Sequence, residues 1–353
     1  MVGFLSSSRY GPLGVDLGSR SVKLMQLSAA GDRVVDAARW DLPIDEPVNP
    51  ERRDELIVEA LGRVREGREF RGRRAALCLA ADDLFVQNLR VAPAEGDELT
   101  KIVHFEAAGR LPFPREEADL RYVEAMDVRH GDAVRREVIL MACRRQRIER
   151  LLAIAERAEL VPTAIDVEPG ALLRCYTRQY RRDDDQQQTR MYVNVGSRHT
   201  VVLIARASHA MFVKYIGCGA HDMDRAVASY LKIPVDDAVN LRRHNGDRRS
   251  DQRDPEVTRS IVEAVRPVLE QLAAELALCV RYYSVTFRGQ SVATTVLGGG
   301  EANETLAEWL SARLTMPCEL GEPLRAFQSI TLPGRSGQWD VAAGLALREA
   351  PLT

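Results

Sequence analysis

The sequence predicts a two-domain α/β protein, and three observations support this fold class. The chain has 353 residues, which exceeds the usual size of a single hydrophobic core. Two strand-turn-strand patterns of the same design occur at residues 13–27 and 193–204, as expected for two related halves. A third element, at residues 294–302, is a strand pattern that runs into a glycine cluster and then a helix.

Composition narrows the class of protein. Hydrophobic residues make up 45% and charged residues 28% of the chain, and the net charge is −2, which is typical of a soluble globular protein without general affinity for nucleic acid. The six cysteines form no C-x-x-C pair, which predicts reduced, buried thiols and a cytoplasmic protein. No apolar run reaches the roughly 18 residues of a spanning helix, so we expect membrane association to be indirect.

Apolar spacing and turn residues define the elements of the first half. They predict a strand at residues 34–40, a helix at 51–66, strands at 74–79 and 84–91, a helix at 96–110, strands at 120–128 and 138–143, and a helix at 144–158. Pro112 and Pro114 stop the second of these helices. The order from residue 84 onward predicts a small inserted α+β module.

The second half is defined in the same way. After a strand at 161–167 and a helix at 168–180, it contains a polar loop at 181–188, a strand at 210–216, a helix beginning at 221 or 222, a polar loop at 244–255, a long helix at 256–283, a helix at 303–314, a strand at 317–320 and a helix at 339–348. Pro267 is expected to kink the long helix.

The first hairpin has the chemistry of a phosphate-binding turn. Asp16 lies at the end of a strand and is suited to a hydrated Mg²⁺ ion. Gly18 permits close approach of backbone N–H groups to a ligand. An ordinary hairpin turn is the alternative for this motif taken alone. The candidate residues here are Asp16, Gly18, Ser19, Arg20, Ser21 and Lys23.

The second hairpin repeats this pattern, with Asn194 at the position equivalent to Asp16. Two facing hairpins would hold a triphosphate between two domains. Gly217 and Gly219 precede the helix that follows, whose first-turn N–H groups are suited to a phosphate. Asp222 at this helix start is equally consistent with a helix cap. The candidates in this region are Asn194, Gly196, Ser197, Thr200, Gly217 and Gly219.

The glycine cluster after the strand at residue 294 suits close approach by a planar base or a ribose. Its candidate residues are Gly298, Gly299, Gly300 and Glu301.

These three elements, in this order, resemble the actin-like ATPase superfamily, whose domains have a ribonuclease H-like fold. Four further segments narrow the match: His104-Phe105-Glu106-Ala107, Leu111-Pro112-Phe113-Pro114, residues 138–145 and Val161-Pro162-Thr163-Ala164-Ile165-Asp166-Val167-Glu168. With them the chain resembles the PilM family of type IV pilus assembly proteins. The resemblance implies an actin-like two-domain fold with an inserted α+β subdomain 1C in the FtsA and PilM branch.

The resemblance also implies a division of the chain. The expected units are 10–84 (first part of 1A), 85–160 (1C), 161–188 (return to 1A and boundary loop), 189–228 (first part of 2A), 229–290 (2B), 291–335 (return to 2A) and 336–353 (a closing helix packing on 1A).

The resemblance further implies a cytoplasmic adaptor, peripheral to the inner membrane, that binds ATP with Mg²⁺ and the N-terminal peptide of a PilN-like inner-membrane protein. It places Arg281 at the border of the adenosine site, although an exposed helix arginine is the commoner case. Phe105, Leu111 and Phe113 are candidate groove residues for the peptide, with a core role as the alternative. Self-association is a further possibility.

Asn194 departs from the aspartate that the family carries in the second hairpin. Because an amide cannot act as a base, we expect ATP hydrolysis to be slow or absent, and Asn194→Asp to raise it. The alternatives are a slow ATPase or kinase of the same superfamily, and the cytoplasmic scaffold of a type II secretion system. A divisome protein like FtsA is disfavoured, because no amphipathic C-terminal membrane helix is recognised.

Overall fold

The structure is a computed structural model that describes residues 10–43, 49–180, 187–247, 254–288, 290–328 and 331–348. Parts of the predicted loops at 181–188 and 244–255, and the last residues of the segment 336–353, lie outside these residues. The strands are β1 (Tyr10–Leu17), β2 (Ser21–Ser28), β3 (Val34–Asp41), β4 (Arg74–Cys78), β5 (Leu84–Val91), β6 (Ala118–His130), β7 (Ala133–Arg144), β8 (Val161–Asp166), β9 (Thr189–Val195), β10 (Thr200–Arg206), β11 (His209–Ile216), β12 (Thr294–Gly298) and β13 (Cys318–Leu320). The helices are α1 (Pro50–Arg63), α2 (Gly96–Ala108), α3 (Arg145–Arg157), α4 (Glu168–Thr177), α5 (Ala220–Leu231), α6 (Val235–Asp247), α7 (Pro255–Thr286), α8 (Glu304–Leu314) and α9 (Asp340–Ala346).

Two five-stranded mixed sheets share one strand plan. The first has the order β3-β2-β1-β4-β8 and the second the order β11-β10-β9-β12-β13. In each sheet, three antiparallel strands form a meander. The first strand of the meander also pairs in parallel with a later strand, β1 with β4 and β9 with β12. The predicted α/β fold with two related halves is therefore confirmed.

Helices α4 and α9 lie between the two sheets. Leu172 and Tyr176 of α4 and Leu345 of α9 are buried with Tyr192 and Leu203 of the second sheet. The rings of Tyr176 and Tyr192 stack with centroids 5.3 Å apart. These apolar contacts join the two halves, and both helices therefore lie at the boundary between the domains.

The outer face of the first sheet is covered by α1 and α3. Leu13 and Leu24 of the sheet pack with Leu61 of α1 and Leu151 of α3. Helix α1 begins at Pro50, and the Asn49 side chain caps it by accepting a hydrogen bond from the N–H of residue 52 at 2.8 Å.

The inserted module is a three-stranded antiparallel sheet of order β5-β7-β6, with α2 on one face. Leu99 and Val103 of α2 pack against Leu89, Leu120 and Leu140 of the sheet. The strand, helix, strand, strand, helix order predicted from residue 84 onward is present.

Helix α7 is longer than predicted. Asp254 caps the start of α7 by accepting from the N–H of Glu256 at 2.8 Å, and the helix continues through Pro267 to Thr286 without interruption.

The described residues include no helix that combines the length and apolar character of a membrane span. All six cysteines are free thiols, and all but Cys318 are buried, as predicted.

The closing helix α9 is shorter than the predicted helix at 339–348, and a 3-10 turn at Ser336–Trp339 precedes it. It packs through small residues. A Cβ atom added at Gly14 of β1 would lie 2.2 Å from the carbonyl oxygen of Ala342, and one at Gly344 would lie 1.9 Å from that of Ala171 in α4. The backbones are thus in contact, and no side chain fits between them.

We therefore expect Gly344→Ala to lower the free energy of unfolding by about 1–3 kcal/mol or more, because backbone on both sides must move. Gly62→Ala in α1 is the matched control, since a Cβ there meets no atom within 4 Å and alanine is the better helix former. Chemical unfolding midpoints measure both. Equal midpoints for the two variants would contradict the packing described.

Candidate functional site

A cleft of about 540 Å³ lies between the domains, where the two hairpin turns, the glycine turn after β12 and the start of α9 meet. Eleven of the predicted residues line it: Asp16, Ser19, Arg20, Ser21, Lys23, Asn194, Gly196, Ser197, Gly299, Gly300 and Glu301. The structure also places Arg39, Glu168, Arg243, Arg335, Gln338 and Asp340 in the lining, which sequence reasoning did not identify.

The first hairpin presents an ion pair to the cleft. The strand register places Asp16 directly opposite Lys23, and the ammonium group donates to the carboxylate at 2.5 Å. The turn itself is held from behind, because Arg53 of α1 donates to the carbonyl oxygens of Gly18 and Ser19 at 2.9 and 2.8 Å. Gly18 therefore supports the turn without lining the cleft.

The second hairpin is held by the start of α5. The N–H groups of Ala220 and His221 donate to the carbonyl oxygens of Gly196 and Ser197 at 3.0 and 2.8 Å. The first N–H groups of α5 are therefore used within the protein. Gly219 permits this contact, since a Cβ there would lie 2.5 Å from the Ser197 oxygen.

The other predicted residues lie outside the cleft lining. Thr200 is buried and donates to the carbonyl oxygen of Cys218 at 2.7 Å. Gly217, Gly219 and Gly298 are not among the lining residues, and Gly217 is exposed. Arg281 lines a different groove, between β5, β11 and α7.

The three candidate peptide-groove residues differ in exposure. Phe105 of α2 is 81% exposed. Leu111 and Phe113 are partly buried against the core of the inserted module, and the Arg144 guanidinium lies 5.1 Å from the centre of the Phe113 ring. Only Phe105 of the three presents most of its surface to solvent.

A buried ionic network connects the first hairpin to the second domain. Arg20 donates to Asp224 of α5, whose side chain is fully buried. Arg242 of α6 donates to the same carboxylate at 2.6 Å and also pairs with Glu301. Arg20 is 8% exposed, and its Nη1 has no hydrogen-bond partner among the described residues.

Two acids that sequence reasoning missed begin the helices between the sheets. Glu168 is the first residue of α4, and Asp340 is the first residue of α9. Only Val167 separates Glu168 from strand β8, so a signal existed: an acid at the start of a helix that follows a strand, at the carboxyl end where ligands bind in α/β sheets. Asp340 follows no strand, and its place depends on packing alone.

Burial changes the protonation of both acids. Burial raises the pKa of Glu168 to about 8, and the nearby negative charge of Asp16 adds to this. Burial also raises the pKa of Asp340 to about 6, although hydrogen bonds from Asn194 and Val341 oppose that shift. Glu168 is therefore mostly protonated at neutral pH in the folded protein.

The described residues contain no group of three or more His, Cys, Asp or Glu side chains arranged to hold a metal ion. A hydrated Mg²⁺ ion, which needs only one or two protein carboxylates, is a different case.

The raised pKa of Glu168 predicts a pH dependence of stability. Its pKa rises from 4.5 to about 8 on folding, so the unfolded chain loses the proton first and the free energy of unfolding falls between those pH values. Glu168→Gln cannot ionise, and we expect its unfolding midpoint in urea to fall less from pH 5 to pH 8 than that of the wild type. Glu59→Gln, at an exposed site in α1, is the control. Parallel curves for Glu168→Gln and wild type would contradict this.

Comparison with known proteins agrees with the fold. The profile of the family described as type IV pilus assembly protein PilM matches residues 14–350. Similar solved structures include a PilM-PilN type IV pilus biogenesis complex, with TM-score 0.79 and 22% identity over 96% of this chain and 98% of that chain. Ethanolamine utilization protein EutJ from Carboxydothermus hydrogenoformans has TM-score 0.58 and 15% identity over 96% and 89% of the two chains. MreB 5 of Spiroplasma citri bound to AMPPNP has TM-score 0.50 and 10% identity over 96% and 95%.

These structures share the actin-like fold, which confirms the predicted fold class. The family profile covers nearly the whole chain, from the first hairpin to the closing helix. The chain therefore belongs to the PilM family of type IV pilus assembly proteins.

Proposed function

We propose that this protein is a cytoplasmic adaptor of a type IV pilus assembly platform, which binds ATP with Mg²⁺ in the cleft and the N-terminal tail of a PilN-like inner-membrane protein on the inserted module. Family membership supports the role in pilus assembly. A solved structure of similar fold is a complex of PilM with PilN, which supports the choice of partner. The observation that carries nucleotide binding is the cluster of cations in the cleft lining, Arg20, Lys23, Arg39 and Arg243.

The charge of the cleft wall suits a polyphosphate. Nη1 of Arg20 is buried without a partner in the described residues, and an unmade hydrogen bond at a buried charged group is costly. Burial lowers the pKa of the Arg243 guanidinium; the charge of Glu301 opposes this shift, and the neighbouring cations Arg20 and Arg39 add to it. An anion bound here would reduce the repulsion between these cations.

The glycine turn suits the nucleoside end of the ligand. Gly299 has φ +87°, and a Cβ atom there would lie 2.5 Å from the carbonyl oxygen of Val195. A Cβ at Gly300 would meet no atom within 4 Å, so the backbone at this position is open. A flat base fits against an exposed backbone of this kind.

Asp16 would hold Mg²⁺ through its water shell, together with the phosphate oxygens of the nucleotide. Bound Mg²⁺ would neutralise charge on the phosphates. Lys23, paired with Asp16 at 2.5 Å, would remain beside them as a further cation. These two side chains therefore orient the phosphate end of the ligand.

The inserted module is in contact with the second domain, so closure of the cleft would affect the peptide surface. Asn88 of β5 donates to the Val213 carbonyl oxygen of β11 at 2.8 Å and accepts from the Val213 N–H at 3.3 Å. Ala125 and Val128 of β6 are buried in the core of the second domain. A ligand that favours one arrangement of the domains thus also favours one arrangement of the module.

A slow ATPase is the second candidate function, and one observation favours it. The Glu168 carboxyl lines the cleft with its pKa raised to about 8, within the range in which a carboxyl group can exchange protons at neutral pH. Single-turnover hydrolysis of ATP by wild type and Glu168→Gln separates the two functions. Turnover that the substitution abolishes would favour the enzyme.

We expect Asp16→Ala to weaken binding of ATP in the presence of Mg²⁺ by about tenfold or more, because the ion loses its carboxylate. Isothermal titration with ATP in Mg²⁺ and in EDTA measures this, and the loss should be confined to the Mg²⁺ condition. Glu59→Ala, an exposed acid of α1, should bind as wild type does. Wild-type protein that takes up no ATP in either condition would sink the nucleotide proposal.

We expect a peptide copied from the cytoplasmic N-terminus of the PilN-like protein to bind with different affinity with and without Mg-ATP. Phe105→Ala should weaken this binding by at least about fivefold, because a largely exposed aromatic side chain is lost from the surface that meets the peptide. Val262→Ala, an exposed apolar residue of α7 in the second domain, is the matched control. Fluorescence anisotropy of the labelled peptide measures all three proteins. Equal affinities with and without nucleotide would show that nucleotide does not control peptide binding, and the proposed adaptor role would be unaffected.

A further inference from the structure

The two hairpins of the cleft differ at one pair of equivalent positions. In the first hairpin the register pairs Asp16 with Lys23. In the second it pairs Asn194 with Val201, so an amide and an apolar side chain stand where the first hairpin has two charges. The negative charge on this side comes from Asp340, whose two carboxylate oxygens accept hydrogen bonds from Asn194 Nδ2 at 2.9 and 2.8 Å.

The Asp340 carboxylate is fixed from several directions. The backbone N–H of Val341 donates to it at 2.7 Å and that of Gly299 at 3.2 Å, while the hydroxyl of Tyr176 donates at 3.1 Å. The side chain is 1% exposed and nevertheless belongs to the cleft lining. These donors belong to α4, α9 and the glycine turn. The position of the carboxylate is therefore fixed by the packing of these elements between the sheets.

A fixed carboxylate also fixes the amide in front of it. An ionised carboxylate only accepts hydrogen bonds, so Nδ2 of Asn194 must face Asp340. Oδ1 is then the end of the amide that remains for a ligand in the cleft. An amide oxygen accepts hydrogen bonds from water in the shell of a Mg²⁺ ion, and the carboxylate behind it strengthens that acceptor.

We propose that Asp340 is a positioning residue of the nucleotide cleft, which orients the amide of Asn194 toward the hydrated Mg²⁺ ion and supplies the negative charge of the second hairpin side. This inference rests on the proposed binding of ATP with Mg²⁺. The Asp340 carboxylate and the Asn194 amide then act as one unit. The negative charge of this unit lies on Asp340, which contacts the hairpin, and not on the hairpin itself.

The pairing has a consequence for the substitution Asn194→Asp, which sequence reasoning expects to raise hydrolysis. In the structure, the new carboxylate would replace an amide that lies within 3 Å of Asp340, and two carboxylates at that distance repel each other. Asp340→Asn alone leaves two amides and removes the charge. The exchanged pair Asn194→Asp with Asp340→Asn keeps one carboxylate, one amide and the hydrogen bond between them.

The test is a double-mutant cycle on the full chain with two readouts, the urea unfolding midpoint of the free protein and the ratio of ATP affinity in Mg²⁺ to that in EDTA. We expect the factor by which Mg²⁺ increases ATP affinity to be about tenfold smaller in each single variant than in the wild type. In the exchanged pair we expect this factor to lie within about threefold of the wild-type value. The unfolding midpoint should fall in Asn194→Asp and recover in the exchanged pair. Asp237→Asn, an exposed acid of α6, is the control for loss of one charge.

The outcomes separate this inference from the proposed function. A wild type that binds no ATP overturns the proposed function and this inference with it. A wild type that gains affinity from Mg²⁺, with Asp340→Asn gaining as much or the exchanged pair remaining as weak as the singles, overturns only the inference. Recovery of the unfolding midpoint without recovery of the Mg²⁺ effect assigns the pair a structural role alone and also overturns it.

Discussion

The backbone contact of α9 with β1 and α4 is the constraint on which the cleft depends. Added Cβ atoms at Gly14 and Gly344 would lie 2.2 and 1.9 Å from carbonyl oxygens, so these elements approach as closely as their backbones allow. This contact sets the position of Asp340 at the first turn of α9, against Asn194. Glu168 begins the neighbouring helix α4 and lines the same cleft. Small residues that do not line the cleft thus determine where these two acids lie.

The parts of the site that were predictable are those whose geometry is local. A hairpin brings Asp16 and Lys23 together through strand register, and alternating apolar residues around a small-residue turn are sufficient to recognise it. The glycine turn before Glu301 is recognisable for the same reason. The contact between Asn194 and Asp340 spans 146 positions, and it depends on how a helix packs between two sheets. No pattern in either segment encodes that packing.

Arg281 shows a different limit. The spacing of apolar residues in α7 correctly indicates which face of the helix is buried, including Leu272 and Leu276. It does not indicate which neighbour the opposite face meets. In the structure that neighbour is the pair of strands β5 and β11, so Arg281 lines their groove and not the cleft. Periodicity defines a face, whereas the identity of the element against it is a tertiary property.

The network of Arg20, Asp224, Arg242 and Glu301 gives the domains a polar connection where an apolar one would be more stabilising. Taking four charges out of water is costly, and pairing them offsets that cost only when nearly every donor and acceptor is used. Here one guanidinium nitrogen, Nη1 of Arg20, has no hydrogen-bond partner among the described residues, although Arg20 is paired with Asp224. Arg20 also lines the cleft, so the network lies beside the position proposed for an anion. Because Arg20 belongs to the first hairpin and Asp224 to the second domain, a ligand bound beside Arg20 would act on both domains at once. The inserted module contacts the second domain through Asn88 and Val213, so under the proposed function such a ligand would influence the peptide surface through packed elements.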